Sequence, residues 1–332
     1  MEVVTMTDQL RGGYDVVVIG GGAAGLNGAL MLARVRRTVA VIDAGAPRNA
    51  PADGVHGLLG REGISPAELL ERGRAEVRHD GGYVVRGEVA AAVPDSGGFT
   101  VTLDGGATVR ARRLLVTTGV VDELPDLPGL RDRWGRDVVH CPYCHGWEIR
   151  DKAIGVLAGG PMAVHQALLF RQLSDDVVLF SHTMPPPTGE EAEQLAARGV
   201  RVIDGEVASL VIVGDRIAGV RLAGGTVVDR EALAVAPRMT VRAAFLDGLG
   251  LRPVEHPAGV GEHVPSDAAG RTDVPGVWVA GNVTDLMAQV GAAAAAGAAA
   301  GAQINSDLIA EETRQAVAAH RPGPSSASEP AA

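Results

Sequence analysis

Two cysteines three positions apart are the residues of this sequence best suited to chemistry. Cys141 and Cys144 are its only thiols in 332 residues. A Cys-x-x-Cys spacing lets one thiol stabilise the thiolate of the other and permits a reversible disulfide. His145 follows directly and titrates near neutral pH, so it is suited to exchange a proton with a thiol, and Glu148 is placed to orient its imidazole. We predict a redox centre in which Cys141, Cys144 and His145 are catalytic.

Two other interpretations of the cysteine pair stay open. A zinc site would need two further ligands from histidines or carboxylates elsewhere, because the sequence has no second cysteine pair. In the other interpretation, the two thiols are buried structural residues without chemistry. The short spacing favours the redox interpretation, and we predict no metal.

Charge and hydropathy exclude several classes of protein. The net charge is −10, whereas nucleic acids and anionic membranes require a basic surface. No apolar run approaches the length of a membrane span, and the first residues lack the pattern of a secretory leader. We predict a cytoplasmic protein without nucleic-acid or membrane partners, where two cysteines indicate catalysis rather than cross-linking.

A glycine-rich turn near the amino terminus predicts a dinucleotide site. A buried strand at residues 14–19 runs into Gly20-Gly21-Gly22-Ala23-Ala24-Gly25, and a helix and a second strand ending at Asp43 follow. In such a β-α-β unit Gly20 permits the tight turn, Gly22 lets a pyrophosphate approach the backbone, and Gly25 lets helix and strand pack closely. Asp43 is placed to accept hydrogen bonds from a ribose.

The same unit occurs a second time with changes at its binding positions. Residues 18–44 align without a gap on residues 156–182. Ala158 and Ala163 replace the first and third glycines, Ser181 replaces the acid, and no arginine follows Ser181. The repeat predicts a second Rossmann-like unit, but whether it binds a nucleotide or is vestigial stays open.

Further elements are expected between and after the two units. We predict helices at residues 66–78 and 288–312. We predict strands at 83–86, 99–103, 108–110, 113–117, 200–204, 207–213, 216–222, 226–228, 232–236 and 277–280. The proline-, serine- and alanine-rich end predicts a disordered tail over residues 317–332.

The order of these motifs resembles the low-molecular-weight thioredoxin reductase family of flavoproteins. A first dinucleotide unit is followed by an inserted second unit that opens with Cys-x-x-Cys, and the chain returns to the first at residues 277–280 and Gly281-Asn282. The resemblance implies an α/β fold with two Rossmann-like dinucleotide-binding domains, the second inserted in the first. It implies a discontinuous FAD-binding domain at residues 1–120 and 245–316, and an NAD(P)-binding-like domain with the cysteines at residues 121–244.

The resemblance also implies the cofactor site and the roles of the two cysteines. It places FAD against Gly20, Gly22, Ala24, Gly25, Asp43, Asn49, Thr118, Gly119, Gly281, Asn282 and Gln289. Cys144 would face the flavin and Cys141 would exchange with the substrate. The family relationship further implies a homodimer.

The sequence departs from the reductase pattern in three features. Asn282 replaces an acid, His145 stands where the family carries an acid, and the second unit lacks a basic patch. Cys-x-x-Cys-His-Gly-aromatic-Glu is more similar to the dithiol oxidase branch, which implies oxidation of a small dithiol with oxygen as acceptor. An NAD(P)H-dependent thioredoxin reductase acting on a thioredoxin-like protein, and a non-catalytic flavin redox sensor, are the alternatives. The use of NADPH stays open.

Overall fold

The structure is a computed structural model that describes residues 10–242 and 244–321. The strands are β1 (Gly13–Ile19), β2 (Val39–Asp43), β3 (Tyr83–Arg86), β4 (Val89–Asp95), β5 (Gly98–Leu103), β6 (Thr108–Val116), β7 (Val120–Glu123), β8 (Val138–Val139), β9 (Ile154–Leu157), β10 (Val177–Phe180), β11 (Arg201–Ile203), β12 (Val207–Val213), β13 (Arg216–Leu222), β14 (Val227–Val228), β15 (Ala232–Val235), β16 (Arg238–Val241), β17 (Val254–Glu255), β18 (Glu262–His263) and β19 (Val277–Val279). The α-helices are α1 (Ala23–Arg34), α2 (Pro66–His79), α3 (Pro142–His145), α4 (Ala163–Phe170), α5 (Gly189–Ala197) and α6 (Val290–His320). Short 3₁₀ helices cover Arg131–Arg133, Trp147–Ile149, Ala244–Leu249 and Gly281–Val283.

The first domain is built on a seven-stranded sheet. Its strands are ordered β3-β2-β1-β6-β5-β4, and β19 also pairs with β6. Strand β6 is long enough to serve two partners on one edge, with β5 antiparallel along its first half and β19 parallel along its second. Strand β19 comes from near the carboxyl-terminal end of the chain. The second domain therefore lies in the sequence between two paired strands of this sheet, β6 and β19. This topology confirms the predicted α/β fold.

Helices α1 and α6 pack closely on the first sheet because small residues line their contact. A Cβ atom at Gly28 would meet the backbone of Gly297, and one at Gly301 would lie 2.7 Å from the carbonyl oxygen of Gly28. Ile304 and Leu308 of α6 are fully buried in the same core. This packing fixes the amino-terminal end of α6 beside the end of β1, where the candidate site lies.

The second domain has a parallel five-stranded sheet and an antiparallel meander. The sheet order is β11-β10-β9-β15-β8, and β12, β13 and β14 form the meander. The chain enters through β7 and leaves through β16, which pair as an antiparallel ribbon. Met239 and Val241 of this ribbon are buried in the core of the first domain.

Several boundaries differ from the sequence predictions. The strands expected at 108–110 and 113–117 are one strand, β6, while β4, β7 and β16 were not predicted. Helix α6 begins at Val290 and continues to His320, so the first four residues of the expected tail 317–332 are helical. The chain beyond Glu312 continues with good helix formers, among them Arg314, Gln315 and Ala316, so the helix extends past its predicted end. Residues 1–9 and residues 322–332 of the expected tail lie outside the described residues.

Among the helices that the structure describes, none is long and apolar enough to cross a membrane.

Candidate redox and dinucleotide site

A cleft of about 450 Å³ lies between the two domains and brings most of the predicted site residues together. Cys141, Cys144 and His145 line it from the second domain. From the first domain it is lined by ten of the eleven predicted cofactor residues, namely Gly20, Gly22, Ala24, Asp43, Asn49, Thr118, Gly119, Gly281, Asn282 and Gln289. The eleventh, Gly25, lies behind the turn. A Cβ atom there would overlap the carbonyl oxygen of Gly20, so Gly25 shapes the turn.

The turn between β1 and α1 has the geometry of a phosphate cradle. Gly20 has a φ of 108°, and a Cβ atom there would lie 2.5 Å from the carbonyl oxygen of Thr117, so only glycine fits. Gly22 is the N-cap of α1, and no side chain caps this helix. Because the first amide groups of a helix lack partners within it, they are available to an anion. Nothing lies within 4 Å of a Cβ atom placed on Gly22, so the approach to the backbone is open.

Asp43 ties the turn to the end of β2. Its Oδ1 accepts hydrogen bonds from the amides of Gly21 (3.3 Å) and Gly45 (3.0 Å), and its Oδ2 accepts one from Arg74 (3.1 Å). Since a carboxylate oxygen has two lone-pair positions, Oδ2 retains one acceptor position for a ribose hydroxyl. Arg74 was missed by the sequence analysis, because no local pattern on α2 singles it out.

The far end of the cleft is formed by Thr118 and the start of α6. The hydroxyl of Thr118 is buried without a hydrogen-bond partner in the described part of the chain, as expected of a group that contacts a ligand. Gln289 is the N-cap of α6 and leaves the helix without a side-chain cap, so the positive end of the helix dipole faces the cleft. Asn282 acts differently from a ligand contact. Its Nδ2 donates to the carbonyls of Asp285 (3.0 Å) and Ala288 (2.9 Å), so it braces the loop that follows it and leads into α6.

The two thiols lie at the start of helix α3. Cys141 is its N-cap, and Pro142 begins the helix with a preset φ. The Sγ atoms are 2.7 Å apart, with Cys144 donating to Cys141. This hydrogen bond, opposed by burial and helped by the amides of Cys144 and Tyr143, lowers the pKa of Cys141 to about 7. The same bond and burial raise the pKa of Cys144. Cys141 is therefore the thiolate of the reduced pair.

Arg48 supplies a positive charge to this end of the cleft. Its guanidinium donates to both carboxylate oxygens of Asp122, at 2.7 to 3.1 Å. It contributes to lowering the pKa of Cys141 and opposes the rise of the pKa of Cys144. The sequence analysis selected its neighbour Asn49 but missed Arg48, whose partner lies 74 positions away on β7.

His145 is placed as a neutral base. Burial lowers its pKa below the ordinary value, and the Glu148 carboxylate acts in the opposite direction. Its Nε2 is buried without a hydrogen-bond partner among residues 10–242 and 244–321. The prediction that Glu148 orients His145 is wrong, because the Glu148 carboxylate lies 3.6 Å from Nε2 of His56 instead. His56 is a site neighbour that no sequence signal indicated.

The second β-α-β unit folds as predicted but differs from the first at the start of its helix. Helix α4 begins at Ala163, two residues later than the alignment with α1 implies. Pro161 occupies the position of Ala23 and has no amide hydrogen to donate. Ser181 is fully buried and donates to Asp204 (2.8 Å), which places a carboxylate beside the end of β10.

The fold and the cleft define a two-domain flavoprotein with a redox-active cysteine pair. The residues of this cleft fit FAD, since the uncapped start of α1, the open Gly22 and the Thr118 hydroxyl, which has no partner among the described residues, converge there.

The comparisons with known proteins agree. The model of the pyridine nucleotide-disulphide oxidoreductase family matches residues 14–299. Thioredoxin reductase tcpT of Claviceps purpurea is 32% identical over 308 residues, covering 90% of this chain and 95% of the relative. The solved structure of HlmI is 47% identical with a TM-score of 0.87, covering 94% of this chain and 97% of HlmI. An oxidoreductase from Agrobacterium tumefaciens is 36% identical with a TM-score of 0.84, covering 89% and 98% of the two chains.

This chain belongs to the pyridine nucleotide-disulphide oxidoreductase family, and within it the chain is thioredoxin reductase-like. It is an enzyme, a flavin-dependent disulfide oxidoreductase with FAD as its cofactor.

Proposed function

We propose that the enzyme oxidises a small dithiol to a disulfide and uses oxygen as the electron acceptor. The observation that carries this proposal is the state of the second nucleotide unit. An NADPH-dependent reductase needs a cradle for the pyrophosphate and a cation for the ribose phosphate. Here Pro161 removes a cradle amide and Asp204 places a negative charge beside Ser181.

His182 does not restore the second site. It follows Ser181 and is the nearest candidate for a phosphate contact. Its Nδ1 accepts a hydrogen bond from the amide of Val207 (3.1 Å), and burial lowers its pKa. A neutral imidazole committed to the backbone is a poor substitute for an arginine, which binds phosphate as a charged fork.

The cysteine pair accepts the electrons of the dithiol in two displacements. His145 removes the proton of the first substrate thiol, and the resulting thiolate attacks Sγ of Cys141. The bond between Cys141 and Cys144 breaks, and Cys144 leaves as a thiolate that takes the proton from His145. The second substrate thiol, deprotonated in turn, displaces Cys141 and closes the product disulfide. Cys141 leaves as the thiolate that the Cys144 thiol and nearby amides stabilise.

The overall reaction balances as dithiol plus oxygen giving disulfide plus hydrogen peroxide. Two electrons and two protons leave the substrate, and oxygen takes up both. FAD, when bound, supplies the two-electron chemistry that links the cysteine pair to oxygen.

Supporting proposals concern the organisation of the protein. We place the domain boundaries at residues 120/121 and 244/245, since the ribbon of β7 and β16 carries the chain between the two sheets. We propose that all eleven predicted residues serve FAD, with Gly25 and Asn282 acting through the backbone that they shape. A homodimer, a cytoplasmic location and the absence of nucleic-acid partners follow from the family resemblance and the composition.

The second candidate is an NAD(P)H-dependent thioredoxin reductase, which the name of the Claviceps purpurea relative favours. Oxygen uptake separates the two. With dithiothreitol in air, the oxidase consumes oxygen and releases an equal amount of hydrogen peroxide. A reductase instead reduces thioredoxin at the expense of NADPH, and that result with no dithiol-dependent oxygen uptake would overturn the proposal.

The roles of the two cysteines are tested by trapping. In the Cys144→Ser variant the Cys141 thiolate attacks an added linear disulfide, such as oxidised glutathione, and one thiolate leaves. Because no Cys144 thiol remains to displace it, the mixed disulfide on Cys141 accumulates and is detected by mass spectrometry. Cys141→Ser is the matched control and should trap less. Equal trapping would contradict the assignment of Cys141 as the substrate-exchanging thiol.

A further inference from the structure

One arginine of the cleft is not bound to another part of the protein. The aspartate, glutamate and arginine side chains that line the cleft are Asp43, Arg48, Glu88, Asp122 and Arg242. Arg48 and Asp122 bind each other at 2.7 to 3.1 Å, and Asp43 accepts from two amides and from an arginine of α2. Within residues 10–242 and 244–321, the side chain of Arg242 has no hydrogen bond or ion pair. Its positive charge is therefore available to a ligand.

Arg242 lies where the chain returns from the second domain to the first. It directly follows β16, in which Val241 pairs with Val120 of β7. One step further along this antiparallel register, Arg242 lies opposite Gly119. The side chain of Val241 is buried in the core of the first domain. Because successive side chains of an extended chain point to opposite faces, that of Arg242 points away from this core, and it lines the cleft.

The segment opposite Arg242 contacts the phosphate cradle. The hydroxyl of Thr117 donates to the carbonyl of Gly20 (2.8 Å). A Cβ atom on Gly20 would lie 3.0 Å from the amide nitrogen of Thr118. Thr117, Thr118 and Gly119 therefore run along the turn that begins the cradle, and Arg242 lies on their other side. A long arginine side chain on this segment is placed to reach an anion in the cradle.

The anion that FAD brings to this turn is its diphosphate. The uncapped start of α1 offers amide donors and the partial positive charge of a helix terminus. A guanidinium adds a full charge and a fork of donors that matches two phosphate oxygens. The sequence analysis selected the glycine turn and missed Arg242, because Arg242 is far from the turn along the chain and carries no motif.

We propose that Arg242 binds the diphosphate of FAD and completes the phosphate site that the start of α1 begins. The proposal concerns how the cofactor is held, so it applies to either direction of electron flow and does not depend on the proposed function. Because the charge of Arg242 acts on the diphosphate, its contribution should be screened by salt. It should also be the same for FAD and for ADP, which carries the diphosphate without the flavin.

The test compares Arg242→Gln with Arg252→Gln, an arginine that is likewise exposed but lies outside the cleft. The full-length protein, freed of FAD, is titrated with FAD by flavin fluorescence and with ADP in competition. Arg242→Gln should weaken the binding of both by about tenfold, the effect of one charge-assisted hydrogen bond. The Kd of the parent for FAD should rise more steeply with sodium chloride than that of Arg242→Gln. Arg252→Gln should match the parent in every measurement.

A further variant and the melting temperature separate binding from folding. Arg242→Lys keeps the charge without the fork, so it should recover part of the lost affinity. The FAD-free Arg242→Gln protein should melt at the temperature of the FAD-free parent. Parent affinity in Arg242→Gln would overturn the proposal. A loss confined to FAD, a loss with the salt dependence of the parent, or a loss that accompanies a lower melting temperature would each overturn it as well.

Discussion

The Sγ atom of Cys144 lies 2.7 Å from that of Cys141 and donates a hydrogen bond to it. The bond makes the two thiols chemically unequal, since it lowers the pKa of Cys141 to about 7 and raises that of Cys144. The first thiol therefore loses its proton more readily than the second near neutral pH, and thiolates are the reactive form.

Alkylation should show this difference between the thiols. In reduced protein, iodoacetamide should modify Cys141 first, with a rate that rises with pH around a midpoint of about 7. Cys144→Ala removes the S–H donor, so the midpoint should move up towards about 8.5, the value of a free cysteine. Peptide mass spectrometry identifies the modified residue. Preferential labelling of Cys144 would contradict the assignment.

Gly22→Leu should abolish FAD binding while leaving the fold intact. Gly22 has an extended backbone, with φ of −79°, and its Cβ position is open, so a side chain fits but projects towards the phosphate cradle. Gly105→Leu, also in open space, is the control and should bind FAD normally. Absorbance of the purified proteins gives the FAD content. If the Gly22→Leu protein still bound FAD, the turn at Gly22 would not be the phosphate-binding element.

Gly25→Ala should lower the stability of the fold, in contrast to Gly22→Leu, which should block FAD binding. A Cβ atom there would lie 2.6 Å from the hydroxyl of Thr117 and overlap the carbonyl oxygen of Gly20. Both are fixed by hydrogen bonds in the turn, so neither moves cheaply. We expect the free energy of unfolding to fall by about 1–3 kcal/mol, the usual cost of overpacking, measured by urea denaturation. Unchanged stability would show that the turn tolerates a methyl group.

His145→Ala should slow dithiol turnover by about a hundredfold, the lower range for loss of a general base, with the FAD content unchanged. Because burial lowers the pKa of His145, its neutral form persists below pH 6.5. The parent rate should therefore stay level on acidification to pH 6.5 and fall only at lower pH. An acid limb that is identical in His145→Ala would exclude His145 as the base.

The ion pairs of the carboxyl-terminal part of α6 should make the stability of the fold depend on pH in the acid range. Arg113 donates to Asp307 (2.7 Å) and Glu311 (2.6 Å), and the pKa of Glu311 is lowered by Arg113 and Arg112. A carboxylate with a lowered pKa stabilises the fold above its ordinary value of 4.5 and loses this effect as pH falls through its folded value. Glu311→Gln should lower stability at pH 7 by about 1 kcal/mol or less and weaken the dependence of melting temperature on pH below 4.5. Glu193→Gln, at an exposed position of α5, is the control and should change neither.

The features that could be predicted from the sequence are those encoded by residues close together in the chain. The turn at Gly20 and Gly22 and its repeat were predictable, because glycine spacing and apolar strands are encoded within some thirty residues. Arg48, Arg74 and His56 were not, because the partners that give them a role are distant along the chain. The long strand β6 was split in the prediction because arginines interrupt its apolar pattern, and in the fold they pair with carboxylates of α6.

The central claim is that electrons enter from a dithiol and not from NADPH. Anaerobic stopped-flow mixing of the oxidised, FAD-loaded enzyme with each donor tests it most directly. The account predicts that dithiothreitol bleaches the flavin absorbance promptly. NADPH should do so slowly or not at all, and NADH no worse than NADPH, because Pro161 removes an amide donor from the second unit and Asp204 places a negative charge beside Ser181. Reduction by NADPH at many per second, saturating in the micromolar range, would contradict the account and identify a reductase.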